Sequence, residues 1–159
     1  MDQKYRSYFI DENVSSYKAS GETLGFGDVV RFYADGDMIR SLVCDFDANE
    51  NVFARNNDTS AADINGGNKD FMYQFGRAYS IGNGFIYIGG GENGTDMSVS
   101  AIRNFKIDTV NIALINLKAK TVKTGTLSDI RTYKNSGAGD IVLIRQRNLF
   151  TMAIYVYVQ

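Results

Sequence analysis

The chain has 159 residues, of which 44% are hydrophobic and 13% aromatic, enough apolar surface for one compact domain or two small ones. Its 17 basic and 18 acidic residues give a net charge of −1 without a basic stripe, and no apolar run suits a membrane helix, so we expect neither a nucleic-acid partner nor membrane insertion. The sequence contains no histidine, which excludes Ser-His-Asp and Cys-His catalysis and Cys/His zinc sites within it.

Short strands separated by polar turns are predicted for the first third of the chain. Residues 5–10 mix aromatic and polar side chains and predict a strand. A Gly-Asp turn precedes a second strand at 29–33, and the Asp-Gly-Asp at 35–37 is a hairpin signal that returns the chain along 38–46. Cys44, the single cysteine, alternates with apolar neighbours and is predicted to be a buried structural thiol.

A polar segment at 56–69, NNDTSAADINGGNK, predicts a loop or linker. It divides the chain into an N-terminal β module, 1–55, and a C-terminal β module, 70–159. The two modules either remain distinct or pack together as one domain.

Hairpins also dominate the predicted C-terminal module. Residues 71–80 and 85–88 flank a Gly-Asn-Gly turn and predict its first hairpin. Three further strands are predicted at 97–110, 111–117 and 121–126.

The end of the chain predicts one helical turn and a last hairpin. Ser128 is the expected cap of a turn at 127–132, and strands at 141–145 and 150–158 pair around Asn148. The final strand, AIYVYV, is hydrophobic on both faces, so we expect it to be central in a sheet or covered by another chain. Because no segment has a sustained helical period, the sequence predicts an all-β fold of two small barrel- or sandwich-like modules built from hairpins.

One phrase occurs twice in the chain and suggests an internal pseudo-repeat. An aromatic-x-Ile-Asp phrase at 8–11 precedes GDVVRFYADGDMIRSLVCDF, and the same phrase at 105–108 precedes GDIVLIRQRNLFTMAIYVYV. Each Gly-Asp begins an apolar run, a polar break and a second apolar run. Two β-hairpin modules of one design would give this pattern.

Two motifs resemble ligand sites but lack part of the required pattern. Gly89, Gly91 and Gly94 have dinucleotide-site spacing, yet the following residues alternate like a strand, so we interpret them as a hairpin loop. A second group has the spacing of a calcium loop but lacks its glycine and its bidentate glutamate. A solvated turn is expected there, with a weak calcium site as the alternative and no other cofactor. The calcium candidates are Asp45, Asp47, Asn49 and Glu50.

Tyrosines at strand spacing are candidates for an aromatic platform that binds sugar or another protein. The same spacing is typical of core residues on one face of a sheet and cross-strand pairs on the other. These ligand-binding candidates are Tyr73, Tyr79, Tyr87, Tyr155 and Tyr157.

The stretch VKTGTLSDIRTYKNSGAGDIVLIRQRNLFTMAIYVYV resembles a region of clostridial-type bacterial surface proteins that carry S-layer homology repeats. GDVVRFYADGDMIRSLVCDFD and FMYQFGRAYSIGNGFIYI look like hairpins of the same proteins, whereas the S-layer repeats themselves are absent from this sequence. The resemblance implies a β-rich extracellular module without catalytic residues. The residues that match its most distinctive phrase are Gly125, Leu127, Ser128, Asp129, Ile130 and Tyr133.

The sequence and this resemblance predict a non-catalytic structural or adhesive module of an exported cell-surface assembly. Its partners would be other protein chains of that assembly or its own parent chain. The start, MDQKYRSYF, lacks the apolar core of a signal peptide, so we expect a mature form or a fragment. Two alternatives are a carbohydrate-binding module that uses surface tyrosines, and a phage-particle or extracellular-filament subunit whose exposed AIYVYV strand is completed by a neighbour.

Overall fold

A computed structural model describes residues 9–10, 25–46, 48, 72–91 and 94–158. The chain divides into two compact units, Met1–Asn49 and Glu50–Gln159. The predicted all-β class is confirmed, because the described strands form two sheets. The predicted linker at 56–69 and its boundaries lie outside the described residues. No helix in the described ranges is long and apolar enough to cross a membrane.

The first unit contains a three-stranded sheet. Its strands are β1 (Phe9–Ile10), β2 (Val29–Asp35) and β3 (Met38–Phe46), in the order β1-β3-β2. β2 and β3 form the predicted antiparallel hairpin, and β1 pairs with β3 in parallel. Gly36 supplies the positive φ of +61° that the tight turn requires.

The second unit contains a mixed seven-stranded sheet in the order β6-β5-β4-β9-β10-β7-β8. Of the adjacent strand pairs in this sheet, β10 and β7 are parallel and the other five pairs are antiparallel. In the described part of the chain this sheet is open, with β6 and β8 as edges, so no closed barrel is formed. Each edge strand has four residues and carries a lysine. The strands are β4 (Met72–Gly82), β5 (Phe85–Ile88), β6 (Arg103–Lys106), β7 (Asn111–Asn116), β8 (Thr121–Thr124), β9 (Ile141–Arg147) and β10 (Phe150–Val158).

The AIYVYV segment forms an inner strand of the sheet, which is one of the two positions expected from the sequence. It forms most of β10, which pairs with β9 on one side and β7 on the other. Ile154 lies between Ile144 and Ile112, and both Ile154 and Val156 are fully buried. Both edges of the AIYVYV strand are therefore paired within this unit.

The long strand β4 belongs to two parts of the sheet. Its residues 72–77 pair with β9, and after a register shift between Ala78 and Ser80 it pairs with β5. The bulge turns β5 and β6 so that β6 contacts β10, although three strands separate them in the sheet order. Phe105 of β6 packs against the core enclosed by this curvature. That core contains Ala78, Ile86, Ile88, Ile107, Ile112, Ile130, Val142, Ile144, Ile154 and Val156.

Two sequence predictions in this unit are wrong in detail. Residues 98–102 form a turn, leaving only Arg103–Lys106 of the predicted 97–110 strand, because the Asp96 carboxylate accepts a hydrogen bond from the Ser98 N–H and bends the chain. The predicted helical turn is a 3-10 turn at Leu127–Asp129 with Thr126, rather than Ser128, at its N-cap. A short helix, α1 (Tyr133–Ser136), follows it.

The two hairpins of the proposed pseudo-repeat have matching strand lengths and strand order, whereas the two Ile-Asp phrases do not occupy matching positions. β2 and β3 contain 7 and 9 residues, as do β9 and β10, and each second strand pairs in parallel with an earlier strand. The first phrase contributes Phe9–Ile10 to β1, which pairs with β3. The second contributes Phe105 to β6, which pairs with β5 instead of β10. The two hairpins therefore share one strand order, whereas the phrases before them occupy different positions.

Candidate functional site

The structure places the five candidate tyrosines in different environments. Tyr73 and Tyr157 are 1% and 3% exposed, so their side chains belong to the interior and present no surface to a ligand. Tyr79, Tyr87 and Tyr155 are partly exposed. For these three residues, ligand binding stays a prediction.

The partly exposed tyrosines do not form one row. Tyr79 stacks on Tyr133 of α1, with ring centroids 6.1 Å apart and planes 19° apart. Tyr87 contacts Phe85 on its own strand, with ring centroids 6.3 Å apart. Tyr155 lies on β10 opposite Leu143 of β9. These contacts are the intramolecular aromatic and cross-strand pairs typical of a sheet surface.

The calcium candidates fall outside what the structure describes. Asp47, Asn49 and Glu50 are outside the described ranges, and for Asp45 and Cys44 only the backbone pairing of β3 is described. Among the described side chains, no group of three or more His, Cys, Asp or Glu residues could hold a metal ion. The calcium hypothesis stays a prediction.

A shallow, open cleft of about 380 Å³ lies where the curved end of the sheet faces β4 and β9. The pairing of β4 with β9 places Met72 opposite Gln146 and Gln74 opposite Ile144, so both glutamines lie on one face. β6 forms the opposite wall. We call this the polar cleft, and its lining residues are Gln74, Ile102, Arg103, Asn104, Phe105 and Gln146.

Arg103 holds the two walls of the polar cleft together. Its Nη1 donates to Oε1 of Gln74 at 2.5 Å, and its Nη2 donates to the carbonyl oxygens of Phe75 at 3.2 Å and Gly89 at 3.1 Å. These hydrogen bonds tie β6 to β4 and to the end of β5. Three N–H groups of the guanidinium are therefore directed at neutral oxygens of the fold.

Gln146 presents a fixed amide to the polar cleft. The residue is 7% exposed, and its Nε2 donates to the carbonyl oxygen of Leu149 at 3.3 Å. Within the described part of the chain no donor reaches its Oε1. Because the amide is oriented by the Leu149 carbonyl, its other end is a positioned hydrogen-bond acceptor.

The hairpin that carries Gln146 ends in exposed apolar side chains. Leu149, Phe150 and Met152 are 76%, 67% and 44% exposed, and we call these three residues the apolar tip. Asn148 and Leu149 form the turn between β9 and β10 with φ of 49° and 67°. Asparagine and glycine favour this left-handed backbone, whereas leucine does not. Leu149 is thus both exposed and strained, and Phe150 and Met152 are exposed beside it.

The polar cleft and the apolar tip were not predicted from the sequence. Gln74, Arg103 and Gln146 lie on three strands, and only the pairing of β4 with β9 and the curvature at the bulge bring them together. The apolar tip did carry a signal: Leu149 and Phe150 follow Asn148 in a hairpin turn where glycine is usual.

Comparisons of the chain with protein-family models, with curated proteins and with solved structures found no match.

Proposed function

We propose that this chain is a non-catalytic adhesive β module of an exported cell-surface assembly, and that it attaches to another protein chain of that assembly through the apolar tip. The observation that carries the proposal is the strained and exposed Leu149 at the end of the β9–β10 hairpin.

The apolar tip costs the isolated molecule stability in two ways. Leu149 holds a left-handed backbone, which is unfavourable by about 1–2 kcal/mol for a residue with a Cβ. It is also exposed to water together with Phe150 and Met152. A partner surface that buries these three side chains would recover about 25 cal/mol for each Å² of apolar area removed from water.

The base of the hairpin is held within the sheet. β9 and β10 are inner strands of the seven-stranded sheet, with β9 paired on both sides up to Gln146 and β10 from Ala153 onward. The Gln146 amide additionally fixes the Leu149 carbonyl at the turn. A side chain carried on a rigid element loses little conformational freedom on binding, which favours affinity.

Two further observations support this choice among the alternatives. The described residues that line the polar cleft are amides, one guanidinium and apolar groups, a set that lacks a carboxylate or thiol for acid/base or nucleophilic chemistry. The filament alternative was motivated by an unpaired AIYVYV strand, and β10 has both edges paired within its own unit.

The proposal is tested with the fluorescently labelled chain on intact cells of the source organism. Leu149→Gly combined with Phe150→Ser should weaken cell binding about tenfold or more, equivalent to about 1.4 kcal/mol. Val99→Ser is the matched control, because Val99 is 90% exposed on a different turn. Cells stripped of surface protein should not bind the wild-type chain.

Loss of adhesion must be separated from loss of folding. Leu149→Gly alone creates the Asn-Gly pair that this turn prefers, so it should raise the free energy of unfolding by about 1 kcal/mol. A variant that is more stable and less adhesive supports the proposal. Equal binding by the double variant and the wild-type chain would refute it.

A further inference from the structure

We infer that the polar cleft is a second binding site, separate from the apolar tip, and that it takes a neutral polyhydroxylated ligand, a carbohydrate. This inference goes beyond the proposed adhesive contact and uses other residues. It also differs from the tyrosine platform expected from the sequence, because none of the five tyrosines lines the polar cleft.

The strongest element of the site is a preformed acceptor. Oε1 of Gln146 belongs to a side chain that is 93% buried, and its amide is oriented by the hydrogen bond to the Leu149 carbonyl. A hydroxyl group of a ligand can donate to this oxygen without any rearrangement of the glutamine. An acceptor held in a fixed orientation favours ligands that supply a matching donor.

The remaining polar groups suit a neutral ligand better than an anion. Gln74, Asn104 and Gln146 provide amides, which donate to and accept from hydroxyl groups. Arg103 directs three N–H groups at the Gln74 amide and two carbonyl oxygens, so these donors serve the fold. The Gln74 amide is engaged by Arg103, so the amides of Asn104 and Gln146 would determine specificity.

The apolar part of the lining fits the other face of a sugar. Phe105 and Ile102 are half-buried and stand beside the amides. A pyranose ring presents C–H groups on its faces and hydroxyl groups around its rim, which matches an apolar wall flanked by hydrogen-bonding groups. The volume of about 380 Å³ is at the lower end of the range for small-ligand sites, so the cleft would hold a short segment of a glycan.

Native affinity electrophoresis tests the inference on the whole chain. The gels contain soluble β-glucan, xylan or glycol chitin as neutral probes, and polygalacturonate as an anionic probe. At least one neutral polymer should retard the wild-type chain. Asn104→Ala should weaken that binding about threefold to tenfold, as expected for one lost hydrogen bond.

Asn104 is the informative position because it is exposed and its truncation leaves the core intact. Asn111→Ala, at an exposed asparagine on β7 that does not line the cleft, is the matched control and should keep wild-type retardation. Gln146→Met should abolish retardation, with circular dichroism and thermal unfolding as checks on its fold.

Each of three results would overturn the inference. Retardation by polygalacturonate alone would mean that the cleft binds anions. Equal retardation of Asn104→Ala and wild type would place the glycan elsewhere, and no retardation in any neutral gel would remove the carbohydrate class. Asn104 does not belong to the apolar tip, so glycan binding and cell adhesion can fail independently. A wild-type chain that adheres to cells but binds no neutral glycan would overturn this inference and leave the proposed function standing.

Discussion

Gly94 packs directly against Gly76, so closely that a Cβ on Gly94 would lie 2.3 Å from the Cα of Gly76. The Arg77 N–H donates to the Gly94 carbonyl at 2.8 Å, and the Gly89 N–H donates to the Arg77 carbonyl at 2.9 Å. The loop after β5 is thereby pressed onto β4, next to the polar cleft. Gly89 and Gly94 are thus explained by backbone packing, and Gly91 by its φ of +75°, in agreement with the loop interpretation.

Replacing Gly94 by alanine should destabilise the protein by roughly 3 kcal/mol, because the new Cβ meets backbone atoms and the φ of +61° is unfavourable for alanine. Urea denaturation measures the change. Gly82→Ala is the control, since nothing lies within 4 Å of its added Cβ. Similar midpoints for Gly94→Ala and the wild type would contradict the packing explanation.

The segment around α1 is fixed by a buried carboxylate. Oδ2 of Asp140 accepts from the Arg131 N–H at 2.8 Å, and Oδ1 lies 3.1 Å from Nη2 of the same arginine. Asp140 is also bonded through its backbone carbonyl to the Ala78 N–H of β4. The carboxylate therefore connects both ends of this segment where it joins the sheet.

Asp140→Ala should lower the free energy of unfolding by roughly 1–2 kcal/mol, because the Arg131 N–H loses its charged acceptor, whereas the ion pair with the half-exposed Arg131 side chain adds little. Chemical denaturation monitored by tyrosine fluorescence would measure this change in the free energy of unfolding. Asp108→Ala serves as the control at an exposed carboxylate. If Arg131→Ala lowers the free energy of unfolding by the same amount in the Asp140→Ala variant and in the wild type, the two side chains are not coupled.

The 3-10 turn at 127–129 should weaken in acid. The Thr126 N–H and hydroxyl both donate to Oδ2 of Asp129 at 2.8 Å, and these hydrogen bonds, the backbone one first, hold the pKa of Asp129 below its ordinary value of 3.8. A carboxyl group whose pKa is lower in the folded state stabilises that state above pH 3.8, and this contribution is lost as the pH falls through the lower, folded value.

Carbon-detected NMR of the Asp129 carboxyl group would give its titration midpoint, expected below 3.8. Thr126→Val removes the hydroxyl donor but keeps the N–H, so the midpoint should rise part of the way. A midpoint at or above 3.8 in the wild-type chain would show that these hydrogen bonds do not persist in solution.

Local signals predicted the strands and turns of this fold, but not the places where distant strands meet. The Asp-Gly and Asn-Gly pairs and the two-sided apolar pattern of AIYVYV identified the hairpins and the central strand, because each depends on residues close together in sequence. The turn after Asp96 was missed because a side-chain hydrogen bond to Ser98 overrides an alternating pattern. The polar cleft requires the bulge at Ala78, which no spacing of Gln74, Arg103 and Gln146 encodes.

The short, lysine-bearing edge strands β6 and β8 oppose association of this chain by strand addition. A long apolar edge allows further copies to add strand by strand, which leads to ordered aggregates that do not dissociate. Lys106 and Lys123 place charge on the two edges and oppose that growth. Under the adhesive function that we propose, contact through the side chains of a hairpin turn would instead be reversible.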